Sequence, residues 1–166
     1  MKNAAKKTAF LGLCTALALV LAYVESLLPP LSAAIPGIKM GLPNIVIIFM
    51  LYRYGVKEAA VVSFVRVVAV VLLFGNMMGF AYSMAGAVLS LLGMLLLKKL
   101  DFLSVVGVSV AGGVLHNVGQ IIMAMFLLGT AELGYYLVVL AVTGTVSGVL
   151  IGIGGSVMIN RIPEWK

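Results

Sequence analysis

The feature that most constrains the fold is a series of apolar runs with almost no charged residues inside them. Of 166 residues, 63% are hydrophobic and only 10% are charged, and the mean hydropathy is +1.23. A soluble domain of this length would need far more polar surface. A helix of about 20 apolar residues crosses the hydrocarbon core of a bilayer. The sequence therefore predicts an all-α integral membrane protein, with residues 1–166 forming a single transmembrane domain.

Six transmembrane helices account for the whole chain and bring both termini to the same side. The predicted spans are residues 8–28, 42–54, 58–74, 80–97, 104–128 and 135–159. In this arrangement nine of the 11 basic residues lie on the side of the termini, namely Lys2, Lys6, Lys7, Arg53, Lys57, Lys98, Lys99, Arg161 and Lys166. Basic residues concentrate in cytoplasmic segments, so we expect both termini in the cytoplasm and the protein in the plasma membrane. The net charge of +6 then reflects topology, and no nucleic-acid partner is expected.

The first 43 residues allow two interpretations. A basic start, an apolar run and the small residues 32–34 resemble a signal peptide, but the run is long and Pro29-Pro30 interrupts it, which favours an uncleaved first span. Four prolines between residues 29 and 43 exclude a continuous helix and predict an ordered outer loop that carries Lys39. The second span is short, so part of this loop is expected at membrane depth.

Three polar residues lie in the middle of the fifth apolar run. His116, the only histidine, and Gln120 are four residues apart and share one helical face, with Asn117 beside them. Polar side chains at this depth need partners, because hydrocarbon offers no hydrogen bonds. Two interpretations follow: a polar clamp between helices, or a ligand site.

Polar residues from other spans reach similar depths. At 1.5 Å per residue, Arg66 lies roughly 12–15 Å from the cytoplasmic end of its span and His116 roughly 18 Å, whereas Asn117, Gln120 and Glu25 lie at roughly 20–26 Å. This distribution predicts a pocket loaded from the outside. The candidate ligand-binding residues are Arg66, His116, Asn117, Gln120, Glu25, Asn44 and Lys39. Arg66 has two candidate roles: an ion pair with Glu25, or an anchor for a ligand carboxylate or phosphate.

Small residues recur at four-residue spacing on two spans. Gly144, Gly148 and Gly152 form a row on the sixth span, which we expect to pack against another helix within the protein. Gly12 and Ala16 form a row on the first span. This second row can serve internal packing or can dock a separate subunit.

Several of these residues resemble the Gx transporter family, whose members are often labelled heptaprenyl diphosphate synthase component I. The resemblance rests on Pro36-Gly-Ile-Lys39-Met-Gly-Leu-Pro-Asn44, on Arg66, and on His116-Asn117-Val-Gly-Gln120, and it covers nearly the whole chain. That family is similar in turn to substrate-binding S components of energy-coupling factor (ECF) transporters. The resemblance implies an S-component-like bundle of six helices, whose first helix meets a transmembrane coupling subunit through small residues, here Gly12 and Ala16. It also implies partner ATPases.

The residues argue against catalysis by this chain alone. A prenyl diphosphate synthase binds metal ions through several carboxylates, whereas Asp101 is the only aspartate here. There is also no phosphate-binding loop and no nucleophile paired with a base. We therefore expect no catalytic residue, no metal site and no cofactor.

The expected function is capture of a small molecule from the outer face of the bilayer for uptake with ECF-type partners. The alternative is a non-catalytic membrane accessory of isoprenoid, quinone or electron-transfer machinery. A vitamin, a haem, an isoprenoid or a metal ion all stay open as ligands. His116 and the ten methionines are compatible with haem or a soft metal, but methionine in lipid-facing helices is ordinarily apolar filler.

Overall fold

The computed structural model describes residues 2–27, 41–74 and 77–162, and these ranges are almost entirely helical. The helices are α1 (Lys2–Leu27), α2 (Asn44–Arg53), α3 (Val56–Phe74), α4 (Met77–Lys99), α5 (Val105–Leu128) and α6 (Leu137–Arg161). A 3₁₀ helix, Glu132–Tyr136, precedes α6. The predicted all-α class is confirmed for the described part of the chain. Lys39 and the small residues 32–34 lie outside the described residues.

Within the described ranges, four helices are long and apolar enough to cross a bilayer. They contain the segments Ala5–Leu27, Met77–Lys98, Val105–Leu128 and Glu132–Arg161. The third helix has 19 residues but carries Lys57, Glu58 and Arg66, and α2 has only 10 residues. The four helices fit a membrane protein, whereas the crossing of the bilayer by α2 and α3 stays a prediction.

Some helix ends differ from the predicted spans. The α4 helix begins at Met77, three residues before the predicted start of the fourth span at Phe80, and it continues through Gly79. Glycine is tolerated inside transmembrane helices, because neighbouring helices can satisfy the backbone groups around it. Gly79 therefore does not interrupt α4. The α6 helix begins at Leu137, two residues after the predicted start, because Glu132–Tyr136 forms a 3₁₀ helix first.

Glycines bring α5 and α6 into backbone contact along their length. A Cβ atom on Gly148 would lie 2.5 Å from the Cα of Val110, and one on Gly144 would lie 2.9 Å from the carbonyl oxygen of Gly113. A Cβ on Gly152 would lie 2.7 Å from the Cα of Val106. These spaces are too small for any side chain. The row on α6 therefore packs inside the protein, as the sequence predicted.

Basic residues collect at one end of the bundle. Lys7 at the start of α1 forms a 2.5 Å ion pair with Glu58 at the start of α3. Arg53 at the end of α2 donates from Nε to the carbonyl oxygen of Ile159 near the end of α6, at 3.0 Å. The Nζ of Lys98, near the end of α4, donates to a carbonyl oxygen of α2 at 2.7 Å. The start of α1 and the ends of α2, α4 and α6 therefore lie at the same end of the bundle.

Candidate functional site

Five helices and the turn before α2 enclose a small polar cavity. Its described lining consists of Ala22, Glu25, Gly41, Asn44, Arg66, Val67, Val70, Ser83, His116 and Gln120. The cavity volume is about 30 Å³, which is room for one or two water molecules. Five of the candidate residues from the sequence thus meet in one place: Arg66, His116, Gln120, Glu25 and Asn44. Ser83 on α4 joins them.

Arg66 contributes the positive charge of the cavity. Its side chain is only 8% exposed, and its Nε has no hydrogen-bond partner among the described residues. The charge of Glu25 acts on the guanidinium, but no ion pair within 4.0 Å joins these two described residues. The predicted Arg66–Glu25 ion pair is therefore not formed. Arg66 lines the cavity, where a ligand could accept hydrogen bonds from its guanidinium.

The carboxylate of Glu25 instead stabilises the turn that precedes α2. It accepts a hydrogen bond from the backbone N–H of Gly41. Gly41 has φ +78°, a left-handed conformation that favours glycine, and its carbonyl oxygen accepts from the N–H of Asn44 at 2.8 Å. The bond from Glu25 to Gly41 thus holds α1 to the start of α2 and sets the position of Asn44. The sequence carried no signal for this bond beyond the glycine itself.

Close packing of α4 against α5 holds His116 and Gln120 at the cavity. A Cβ on Gly86 of α4 would lie 2.8 Å from the carbonyl oxygen of His116 and 3.0 Å from the Cγ of Gln120. One turn further along α5, a Cβ on Gly119 would lie 2.7 Å from the carbonyl oxygen of Ala85. The two glycines let the helices touch, so the side chains of His116 and Gln120 have little freedom to turn away. His116 is 8% exposed.

The side chain of Asn117 contacts α6 and does not face the described lining of the cavity. Its Nδ2 donates to the carbonyl oxygen of Leu140 on α6 at 2.8 Å, and the side chain is 4% exposed. One residue along an α-helix turns the side chain by about 100°, so Asn117 leaves the face that His116 and Gln120 share. The structure therefore places Asn117 between α5 and α6 as a polar clamp, outside the described lining of the cavity.

Removal of the Asn117 side chain is expected to lower the stability of the fold and to leave ligand binding unchanged. Asn117→Ala removes the donor to Leu140, and interhelical hydrogen bonds of this kind contribute about 0.6 kcal/mol, up to about 1.7 kcal/mol, in membranes. We expect a small loss in the free energy of unfolding, measured by denaturant titration in detergent, with unchanged ligand retention. A loss of ligand at unchanged stability would instead assign Asn117 to the cavity.

The described lining suits binding of a small polar group more than metal ligation. It offers a guanidinium, a carboxylate, an imidazole, two amides and a hydroxyl on apolar walls from Ala22, Val67 and Val70. Within the described ranges, no three His, Cys, Asp or Glu residues form a group that could hold a metal ion. A few convergent polar groups on apolar walls are typical of small-molecule sites.

The small residues of α1 divide between two faces. Ala18 and Ala22 are 0% and 7% exposed, so they pack inside the protein. Gly12 and Ala16 are exposed, and a Cβ on Gly12 would meet nothing within 4 Å. The row formed by Gly12 and Ala16 therefore lies on the outward face of α1, away from the packing between the described helices.

Comparison with known proteins gives one family. The family model described as heptaprenyl diphosphate synthase component I matches residues 14–158, which include every helix from α2 to α5, about half of α1 and most of α6. No curated protein and no solved structure gives a significant match.

Proposed function

The chain belongs to the heptaprenyl diphosphate synthase component I family, and from this premise we propose that it is a non-catalytic binding subunit of the membrane. In this proposal the cavity between α1, α2, α3, α4 and α5 captures a small molecule from the outer face of the bilayer for uptake. The observation that carries it is the meeting of Arg66, Glu25, His116 and Gln120 in one buried cavity.

Burial of these groups supports binding more than a structural role. A charged group in the bilayer costs about 2.5–3.5 kcal/mol on insertion scales, and intramembrane ionisable residues mark ligand or ion pathways. Arg66 has neither an ion pair within 4.0 Å nor a partner for Nε in the described part of the chain. A residue kept only for structure would be expected to have its donors filled by the protein.

The outer face is favoured as the side of entry by the charge pattern. The basic end of the bundle, defined by Lys7, Arg53 and Lys98, corresponds to the cytoplasm under the positive-inside rule. Glu25 near the end of α1 and Asn44 at the start of α2 belong to the opposite end of their helices. The cavity they line is therefore proposed to lie toward the outside.

Uptake would require partners that hydrolyse ATP, because this chain has no nucleotide-binding loop. We propose that an ECF-type transmembrane coupling subunit docks on the outward row formed by Gly12 and Ala16. Small residues let a second helix approach closely, and the resulting van der Waals packing is a main source of helix association in lipid.

A second candidate function is an accessory role for a prenyl diphosphate synthase. The family description favours it, since it names a synthase component. In that case the partner would be the catalytic subunit of a synthase, and the chain would supply a membrane-embedded site for the product or its lipid chain.

Purification of the tagged full chain from native membranes tests both candidate functions, uptake and the accessory role. If the chain serves uptake, a coupling subunit and ATPases should copurify with it. The double variant Gly12→Leu, Ala16→Leu should then lose these partners and still retain the ligand. Val142→Leu, on the exposed face of α6, is the control that should change nothing. Copurification of a prenyl synthase alone would reject uptake in favour of the accessory role, and unchanged partner binding in the double variant would reject the docking row.

A further inference from the structure

The α2 helix begins at the cavity and ends at the basic end of the bundle. Asn44, its first residue, lines the cavity together with Gly41 of the preceding turn. Arg53, its last residue, donates to the carbonyl oxygen of Ile159 at the basic end. Ten residues span about 15 Å, which is half of a hydrocarbon core of about 30 Å. With the basic end proposed at the cytoplasmic surface, the N-terminus of α2 lies near mid-membrane, at the depth expected for Arg66.

The N-terminus of α2 presents a positive electrostatic field to the cavity. Aligned peptide dipoles give a helix about half a positive elementary charge at this end. The first turn of α2 has no acidic residue, and no described side chain caps its start. Residues 46–51 are all buried, so water screens the dipole little. The backbone N–H of Asn44 is already bonded to the carbonyl oxygen of Gly41, so α2 offers an anion its field and the side-chain amide of Asn44.

Arg66 supplies a second, independent indication of an anion at the same place. It lines the cavity and is 8% exposed, and its Nε has no hydrogen-bond partner among the described residues. The carboxylate of Glu25, which accepts from the N–H of Gly41, does not supply the acceptor that this Nε needs. Buried donors in folded proteins nearly always have a partner. A guanidinium presents parallel N–H donors that match two oxygens of a carboxylate or a phosphate group.

We propose that the N-terminus of α2 and the guanidinium of Arg66 together form an anion site, which binds a carboxylate or phosphate group of the ligand. In this site Arg66 donates to the oxygen atoms, the amide of Asn44 donates a further hydrogen bond, and the α2 dipole favours the negative charge. Half-helices whose N-termini point at anionic substrate groups occur in membrane transporters for the same physical reason. This inference rests on the proposed binding function and names the chemical group that the ligand presents.

The test measures the melting temperature of the full chain in phosphatidylcholine nanodiscs with added anions. Formate and inorganic phosphate are the free probes, and formate is the smallest carboxylate for a cavity with room for one or two water molecules. Sodium chloride at equal ionic strength is the salt control. A probe at about ten times its Kd should raise the melting temperature by about 3 °C, whereas chloride, which lacks paired oxygens, should raise it less. Phosphatidylglycerol nanodiscs without a free probe form a separate arm, which reports a lipid headgroup as the source of the phosphate.

Two variants assign the response to the site. Arg66→Gln removes the guanidinium and should abolish the response. Asn44→Asp places a carboxylate at the start of α2, where it stabilises the helix but repels an anion, so the apparent affinity for the probes should fall about tenfold or more. Ala131→Asp is the matched control, because it adds the same charge at an exposed position outside the described lining and should leave the response unchanged.

The outcomes decide the proposal one way or the other. A response to phosphatidylglycerol alone that is lost in both variants supports the anion site with a lipid as its source. An unchanged response in folded Arg66→Gln or in folded Asn44→Asp overturns it, as does a wild type that responds to neither the free probes nor the lipid. If Arg66→Gln fails to fold, Asn44→Asp decides.

Native mass spectrometry of the purified chain separates failure of this inference from failure of the proposed function. A retained molecule that is neutral or cationic overturns the anion site and leaves the proposed binding function standing. A retained anionic molecule that is lost from Asn44→Asp and kept by Ala131→Asp supports both. A chain that retains no molecule and responds to neither the probes nor the lipid removes both.

Discussion

Gly148→Leu is expected to lower the free energy of unfolding by about 3 kcal/mol or more. Even a methyl group at this position would lie 2.5 Å from the Cα of Val110 and 3.0 Å from the carbonyl oxygen of Ser109. Both neighbours are backbone atoms, which cannot rotate away as a side chain can. The two helices would have to separate, and their packing contacts and the Asn117–Leu140 hydrogen bond would weaken together.

The matched control is Gly12→Leu, the same change on α1. Gly12 is exposed and a Cβ there would meet nothing within 4 Å, so no clash is expected. Leucine also favours a helix over glycine by up to about 1 kcal/mol. Denaturant titration in detergent should therefore show a large loss for Gly148→Leu and no loss for Gly12→Leu. Equal stability of the two variants would contradict the close α5–α6 packing.

The positions of the helices and several of the polar residues that line the cavity could be predicted from the sequence. Apolar runs bounded by basic residues predicted the helix ends within three residues except at the start of α1, which begins at Lys2 and not at residue 8. Burial in lipid and charge at the ends act locally along the chain, so the sequence carries this information. The i, i+4 spacing of His116 and Gln120 predicted a shared face, and both line the cavity with Arg66. The glycine row on α6 predicted a close helix contact, which α5 supplies.

The partners of individual side chains could not be predicted, because they depend on how each helix is rotated about its axis. Asn117 adjoins His116 in the chain, yet it bonds to Leu140 on α6. Glu25 was the only acid placed near Arg66 by depth, yet its described hydrogen bond goes to the N–H of Gly41. That bond depends on the left-handed turn at Gly41, and depth along the membrane normal carries no information about such a turn.

A substitution that fills the cavity is expected to remove the ligand outright. Val70 on α3 lines the cavity, which has room for one or two water molecules, so an indole ring added there would crowd the space that a ligand needs. Val70→Trp should therefore occupy the space in front of Arg66. Because binding would require expulsion of the ring, we expect ligand affinity to fall about 100-fold or more, which corresponds to about 2.7 kcal/mol. Ser83→Phe, which fills the cavity from α4, should have the same effect.

The most direct test of the cavity as a ligand site is native mass spectrometry of the full chain, released gently from membranes, as wild type, Val70→Trp and Val65→Trp. Val65 is 43% exposed and does not line the cavity, so its variant controls for an added indole on α3. Melting temperatures of the three proteins confirm that each is folded. The account predicts a bound small molecule on the wild type and on Val65→Trp, and none on Val70→Trp. The same bound molecule on folded Val70→Trp, or none on the wild type, would contradict it.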